Sequence, residues 1–393
     1  MHKKKYNFDQ IIDRKETNCV KWDLRSLYFK NPDLIPLWVA DMDFETPDFI
    51  LDSLRDRLEH PVLGYTFRPS AFNQSFRDWA LRKYNWEIHP DWISFSPGVV
   101  SAVSLAVLGF TQPGDEILVQ PPVYFPFFKS IQGLERNLSY NPLVEKDGRL
   151  CMDFDKLEDN ITTKTKMLIL CNPHNPGGSV WTPDELRKLA GICSKHKIFI
   201  VSDEIHADLI FEPAVHTPFV EAVGEHKVRT ITCMAASKSF NLAGLATSVV
   251  VIPDEGIKKR YEDLMQTVHI GGGSLFGSIA TMTAYSKGWD WMQLLLAYLK
   301  SNRDYLVDFV NKELPGIRIL VPEATYLAWM DFSALGMNDK DLNRWMIHDV
   351  GVGLNPGTMF GPGGEGFMRI NFACPKTQLE QALVQLKEEL KKL

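Results

Sequence analysis

Lys238 is the single amine in a small, apolar stretch, MAASKSFNLAGL (234–245), that follows the β-branched run VRTITC (228–233). A lysine in such a place has two explanations. It can sit in a surface turn and reach water along its stem, or it can be held in a dry site where a neutral amine reacts with a carbonyl. A second group of interest is Asp203 and Glu204, which directly follow the apolar run KIFIVS (197–202), with His206 three residues beyond Asp203. A carboxylate there is costly unless a cation meets it, although an aspartate that merely caps a turn would look the same. A third is Arg369 within GFMRINFA. An arginine inside an apolar strand needs an anion, and its fork suits a carboxylate; a structural ion pair would satisfy it equally.

Three further stretches could complete a site around these groups. In SFSPGVVSAVSLAVLGF (94–110), a Ser-Pro-Gly turn leads into a helix whose first amides, at Gly98, Val99 and Val100, point outward. Helix N-termini bind phosphate through such amides and the helix dipole, but an ordinary glycine-containing helix start has the same spelling. In QPPVYFPFF (120–128), prolines fix a loop that presents Tyr124 either as a ring to stack on or as part of an aromatic core. In CNPHNPGG (171–178), two Asn-Pro pairs and a Gly-Gly form a rigid turn from which Asn175 could donate a hydrogen bond. A lysine for a Schiff base, a carboxylate for a pyridinium nitrogen, an aromatic lid, an anion-binding helix start and a carboxylate-binding arginine together describe a site for pyridoxal 5'-phosphate.

The elements that must position these groups are legible as an α/β pattern. From about 97 to 270, the runs EILVQ (116–120), KMLILC (166–171), KIFIVS, VRTITC and TSVVVI (247–252) read as short buried strands alternating with helices. TPDELRKLAGICSKH (182–196) opens with Thr182 as N-cap, Pro183 at the first helical position and Glu185 to close a capping box. The expected fold class is α/β with a mixed, mostly parallel sheet. Past about 286 the texture becomes α+β: a long helix (288–312), the strand-like IRILVP and ATYLAWMDF, a helix near 339–350, FMRINFA (367–373) and a charged amphipathic helix at the end. The expected division is an N-terminal segment, 1–48, packed beside a smaller C-terminal domain, 287–393, with a large ligand-binding domain, 49–286, between them.

Bulk properties exclude several classes. The 393 residues carry a net charge of −6, so there is no electrostatic case for nucleic acid. The basic start, MHKKK, is followed by no apolar segment of a secretory signal. No apolar run approaches the roughly 18 residues of a membrane span. Six scattered cysteines without a CxxC pair read as reduced core residues of a cytoplasmic protein, and no Cys/His cluster has metal-ligand spacing. Of the histidines, only His206 and His174 stand in suggestive company.

The whole chain resembles fold-type I pyridoxal-phosphate enzymes of the class I/II aminotransferase superfamily. More narrowly it resembles their cystathionine β-lyase (C–S lyase) subgroup, on DRKETNCVKWD (13–23), PLWVADMDFETP (36–47), GYTFRP (64–69), CNPHNPGG, DEIHADL and SKSFNLAGL. The resemblance implies a large domain plus a smaller α+β domain. It implies that Lys238 carries the cofactor and shuttles protons, that Asp203 pairs with the pyridine nitrogen, and that Tyr124 stacks on the ring. Asn175 and His206 are implied near the phenolic oxygen, and the amides of Val99 and Val100 with Ser237 at the phosphate. Tyr65 would reach the phosphate of a neighbouring subunit, which implies a homodimer with shared sites. Arg369 would take the substrate α-carboxylate with Asn175 and the Val39–Ala40 backbone close by. Two positions depart from many aminotransferases: Ala246 stands where an arginine often binds phosphate, eight residues after the lysine, and Ala235 where a serine is frequent. The implied activity is β-elimination from cystathionine, cysteine or cysteine S-conjugates. The alternatives are an aminotransferase that shares the early steps, and a cofactor-loaded binding partner of a regulator.

Overall fold

The computed structural model describes residues 6–393; MHKKK lies outside the described residues. Its centre is a seven-stranded sheet of β1 (Ile93–Ser96), β2 (Glu116–Val119), β3 (Asn137–Tyr140), β4 (Thr165–Cys171), β5 (Phe199–Asp203), β6 (Thr230–Met234) and β7 (Ser248–Val251). The spatial order is β1-β7-β6-β5-β4-β2-β3. The pairings from β6 across to β3 are parallel, and β7 runs antiparallel to both β6 and β1.

The strands are apolar on both faces because helices cover both. Met167, Ile169, Val201 and Ile231 pack against Val103 and Ala106 of helix α1 (Val99–Phe110). Their neighbours Leu168, Leu170 and Ile200 face the opposite way, against Leu186 and Leu189 of helix α2 (Pro183–Lys195). Two-sided burial of this kind belongs to a parallel sheet. Helix α2 begins as its sequence requires. The Thr182 hydroxyl accepts from the Glu185 amide at 3.2 Å, and the Glu185 carboxylate accepts from the Thr182 amide at 2.8 Å.

A second sheet comprises β8 (Arg318–Leu320), β9 (Leu327–Asp331), β10 (Asn355–Pro356) and β11 (Phe367–Asn371), all antiparallel in the order β8-β9-β11-β10. The helices Trp289–Glu313 and Lys376–Leu390 pack with it. The N-terminal segment joins this part of the chain: Ile35–Pro36 pairs with Val352–Gly353, and Phe8 packs against Trp291 and Tyr298. Among the described residues, no helix is long and apolar enough to cross a membrane.

Three features have no counterpart in the sequence pattern. Strand β1 alternates apolar residues with serines, yet both Ser94 and Ser96 are buried by pairing with β7. The hairpin of Val144–Lys146 and Arg149–Cys151 is too short to carry a pattern. The helix expected near 339–350 ends in a π turn, Met346–Val350, closed by Gly351 in the left-handed region.

One buried carboxylate ties the lysine-bearing turn to the helix Ser70–Tyr84. Asp208 accepts hydrogen bonds from Trp79 Nε1 at 2.7 Å, Ser239 Oγ at 2.6 Å and the Tyr84 hydroxyl. Replacing Asp208 with alanine strands two buried donors, Trp79 Nε1 and Ser239 Oγ, and a half-buried one, the Tyr84 hydroxyl. Asp208→Ala is expected to lose about 3 kcal/mol of stability, read from urea denaturation; a change within experimental error would show that this anchor is dispensable.

Candidate active site

Strands β4, β5 and β6 stop side by side. Cys171 lies opposite Asp203, and Asp203 opposite Cys233, so the carboxylate that ends β5 is flanked on both sides by strand. The segments that leave these three ends carry Asn175, His206 and Lys238. The start of α1 faces the same space, where ligands of open α/β sheets bind. A cavity of about 190 Å³ lies there, and Lys238, Asp203, Tyr124, His206, Asn175 and Ser237 all line it. Gly98, Val99 and Val100 form another wall, and Ala40 reaches it from the N-terminal segment. Tyr65 does not line this cavity; its side chain is fully exposed.

The titratable groups are tuned by burial. Asp203 is 3% exposed, and the Ile205 amide donates to its Oδ1 at 3.1 Å. Burial pushes the Asp203 carboxyl up to about 7, against the opposing pull of that amide and of Lys238. A carboxylate so placed favours a ligand that brings a positive charge. The Lys238 amine is brought down to about 8, first by burial and then by Arg369, while Asp41 and Asp203 oppose the change. Its Nζ donates to the Ala40 carbonyl at 2.6 Å. No carboxylate among the described residues lies within ion-pair distance of it. His206 is held well below the ordinary imidazole value by burial, then by Lys238 and Arg369, so it is neutral near pH 7. Its Nδ1 is buried without a partner. Burial raises the Tyr124 phenol to about 12.

Arg369 is 3% exposed and meets no carboxylate among the described residues. Nη1 donates to Asn175 Oδ1 at 3.0 Å, and Nη2 donates to the Trp38 carbonyl at 2.9 Å and to Asn355 Oδ1 at 2.7 Å. Its Nε is left unpartnered. The structural ion pair that the sequence allowed is therefore absent, and the guanidinium's charge is not neutralised by any carboxylate of the described residues.

The wall opposite the sheet is backbone. Besides the Trp38 and Ala40 carbonyls, those of Val39 and Asp41 accept from Asn371 Nδ2, at 2.6 and 2.7 Å. Asn241 clasps both the amide and the carbonyl of Met42, at 3.1 and 2.9 Å. Behind the wall, Lys21 is wholly buried and pairs with Asp43 at 2.6 Å, while Arg14 pairs with Asp41 and Asp43, each at 2.6 Å. These are polar residues of the DRKETNCVKWD and WVADMDF stretches, and they brace the wall from behind.

Other side chains resolve differently from the expectations of the sequence. Glu204 is structural: it accepts from Ser202 Oγ and the Phe219 amide and pairs with His216, each at 2.8 Å. His174 is buried beneath the Asn-Pro turn, where burial lowers its imidazole to about 3 and its Nδ1 accepts from the Gly177 amide. Gly178, at φ +71°, lies so close to Pro322 that a Cβ would sit 2.6 Å from it, which explains the second glycine of that turn. Ala246 adopts a left-handed conformation beside the cavity, and Ser101 and Thr247 line it nearby. Ser101, Thr247, Asn355 and Asn371 escape a reading of the sequence, since nothing in their local spelling distinguishes them from surface polar residues.

The cavity suits pyridoxal phosphate. It offers a buried carboxylate lacking a cation, a buried imidazole nitrogen lacking a partner, a tyrosine ring and an amine within one space. The first-turn amides of α1 have no preceding helical carbonyls to bind. The space around Gly98 is open: a Cβ placed there would find Ser101 Oγ as its nearest neighbour, 4.0 Å away.

Comparison with known proteins agrees with this geometry. Cystathionine β-lyase PatB of Bacillus subtilis is 42% identical over 98% of this chain and 100% of its own length. Among solved structures, cystalysin from Treponema denticola, which contains a pyridoxal 5'-phosphate cofactor, superposes with a TM-score of 0.94 at 36% identity, covering 98% of this chain and 99% of that one. The pyridoxal-phosphate-bound C–S lyase from Staphylococcus hominis gives 0.91 at 35% identity, with 98% of each chain covered. The family model for aminotransferase class I and II matches residues 32–386, and the chain belongs to that family.

Proposed function

We propose that the protein is a pyridoxal-phosphate-dependent C–S β-lyase that converts cystathionine, cysteine or cysteine S-conjugates to pyruvate, ammonia and a thiol. The observation that carries the reading is a tuned amine, Lys238, that lines one cavity with the Asp203 carboxylate and an adjoining cavity with the buried, ion-pair-free Arg369. The names borne by PatB and by the S. hominis enzyme support elimination over transamination.

In this reading Lys238 would carry the cofactor and Asp203 would meet its pyridine nitrogen. Tyr124 would stack on the ring, Asn175 and His206 would stand at the phenolic oxygen, and the Val99 and Val100 amides with Ser237 would hold the phosphate. When bound, the cofactor withdraws the electrons left at the substrate α-carbon. Arg369 donates to the substrate carboxylate, which fixes the α-carbon beside Lys238. Lys238, freed when the substrate amine takes its place and eased toward the neutral amine by desolvation, takes the α-proton. Asp203 keeps a proton on the ring nitrogen. The Cβ–S bond then breaks, and the sulfur leaves with the bonding pair. Water completes release of pyruvate and ammonia.

The same reading makes the protein a homodimer in which Tyr65 of one copy reaches the phosphate of the other; the full exposure of Tyr65 beside exposed Val62, Leu63 and Phe67 supports it. It divides the chain at 1–48, 49–286 and 287–393, supported by two separate sheets. It places the protein in the cytoplasm, supported by six free cysteines.

Purified protein given L-cystathionine without any keto acid is expected to release pyruvate and thiol together; turnover that requires a keto-acid acceptor would make it an aminotransferase. Lys238→Ala should lose at least a thousandfold in kcat together with the cofactor's visible absorbance, and retention of both would remove Lys238 from its role. Because the amine must be neutral to react with the cofactor aldehyde, uptake of cofactor by the apo-protein should quicken as pH rises through about 8. A rate that climbs only near 10 would show an unshifted lysine. Tyr65→Phe should weaken cofactor binding about tenfold in a dimer of unchanged mass by ultracentrifugation; an unaltered affinity would place Tyr65 away from the phosphate.

A further inference from the structure

A second cavity, of about 370 Å³, adjoins the first and shares Lys238, Tyr124 and Ala40 with it, and it adds Arg369. If the substrate carboxylate lies on Arg369 and its α-carbon at Lys238, the remainder of this space is what lies beyond Cβ. Its lining is aromatic and aliphatic. Phe29, Trp38 and Leu354 are buried at 7%, 8% and 3% exposure and form the floor. Tyr28 and Met359, at 59% and 39%, form the rim. The Tyr28 and Phe29 rings stand 4.8 and 5.3 Å from that of Trp38, which gives a cluster of faces and edges suited to thioether sulfur and apolar groups.

The charges are as informative as the aromatics. The only charged side chains among the described lining residues are Lys238 and Arg369, and the chemistry occupies both. Asn355 Oδ1 already accepts from Arg369, which leaves Asn343, the Tyr28 and Tyr124 hydroxyls and the Trp38 indole as the neutral polar groups in the lining. A distal ammonium and carboxylate, as in cystathionine, would lose water there and find no opposite charge. A second carboxylate, as in a dicarboxylic amino acid, would fare no better.

We infer that this cavity receives the sulfur substituent, and that the preferred substrates are cysteine S-conjugates with an uncharged, apolar substituent of about the size of a butyl or benzyl group. The inference rests on the lyase reading. The reaction balances as R–S–CH2–CH(NH3+)–COO− plus water giving R–SH, pyruvate and ammonium. The α-proton leaves to Lys238, and the Cβ–S electron pair leaves with sulfur, which is protonated on release.

The test compares kcat/KM for S-benzyl-L-cysteine, S-butyl-L-cysteine and L-cystathionine on the cofactor-loaded protein, with β-chloro-L-alanine, which lacks a sulfur substituent, as a measure of elimination itself. The apolar conjugates are expected to exceed cystathionine at least tenfold; cystathionine equal to or better than both would overturn the inference. Met359→Arg places a cation on the rim and should move the ratio at least fivefold toward cystathionine, whereas Met359→Leu should leave the ratio in place. An unmoved ratio in Met359→Arg would put the substituent elsewhere. Calorimetric binding of S-benzyl-L-cysteine and cystathionine to Lys238→Ala, supplied with excess pyridoxal phosphate because it lacks the lysine that carries the cofactor, reads the same preference without turnover. Absence of elimination from every substrate, including β-chloro-L-alanine, would therefore refute the lyase reading, while the binding ratio separately decides the pocket.

Discussion

A guanidinium in the protein interior without a carboxylate is costly, and much of the architecture is arranged around that of Arg369. Its hydrogen-bond acceptors are neutral: an amide from the Asn-Pro turn after β4, an amide from β10, and the carbonyl of Trp38 in the N-terminal segment. Each comes from a different part of the chain. The large sheet, the small sheet and the N-terminal segment must therefore all be in place before the arginine is solvated by protein. Neutral acceptors hold its geometry without neutralising its charge. A carboxylate at any of these positions would have neutralised the guanidinium that, on the proposed reading, binds the substrate carboxylate.

The same economy of charge governs the other groups. Asp203 is desolvated between two strands and lacks a cation of its own, and Lys238 is desolvated with only a carbonyl as its near partner. Where the chain does need ion pairs for rigidity, it sets them one layer back. Lys21, Arg14, Asp41 and Asp43 neutralise each other behind the 38–42 wall, and Asp208 collects its neutral donors behind the lysine turn. Charges that face the cavity are thus incomplete, and charges behind it are satisfied. Buried incomplete charges with shifted titration are a mark of functional sites.

Much of this is legible in the sequence. The strands 165–171, 199–203 and 230–234 announce themselves as apolar runs, helix α2 by its capping box, and Lys238, Asp203 and Arg369 by being ionisable where apolar residues are due. Strand β1 is not legible, because burial by a neighbouring strand, rather than its own composition, makes Ser94 and Ser96 interior. Asn371 and Asn241 are not legible as site residues for a similar reason. An asparagine that binds backbone 197 residues or more away leaves no local pattern, and its partner here is a carbonyl, which every residue carries alike. The stretches DRKETNCVKWD and WVADMDF carry the family resemblance, but their physical meaning as two halves of one ion cluster emerges only when residues 14 and 21 are seen beside 41 and 43.

That the wall from 38 to 42 meets the reacting groups through its main chain has a consequence for how such a protein can change over time. Carbonyl oxygens survive nearly every substitution of the residue that bears them. The side chains of the same segment and its neighbours, Trp38 and Tyr28 among them, face the second cavity instead. On the proposed reading, mutation can therefore rewrite what the protein selects while the atoms that orient Lys238 and Arg369 stay where they are. Selectivity and reactivity would then be encoded in separable parts of one short peptide, free to diversify independently.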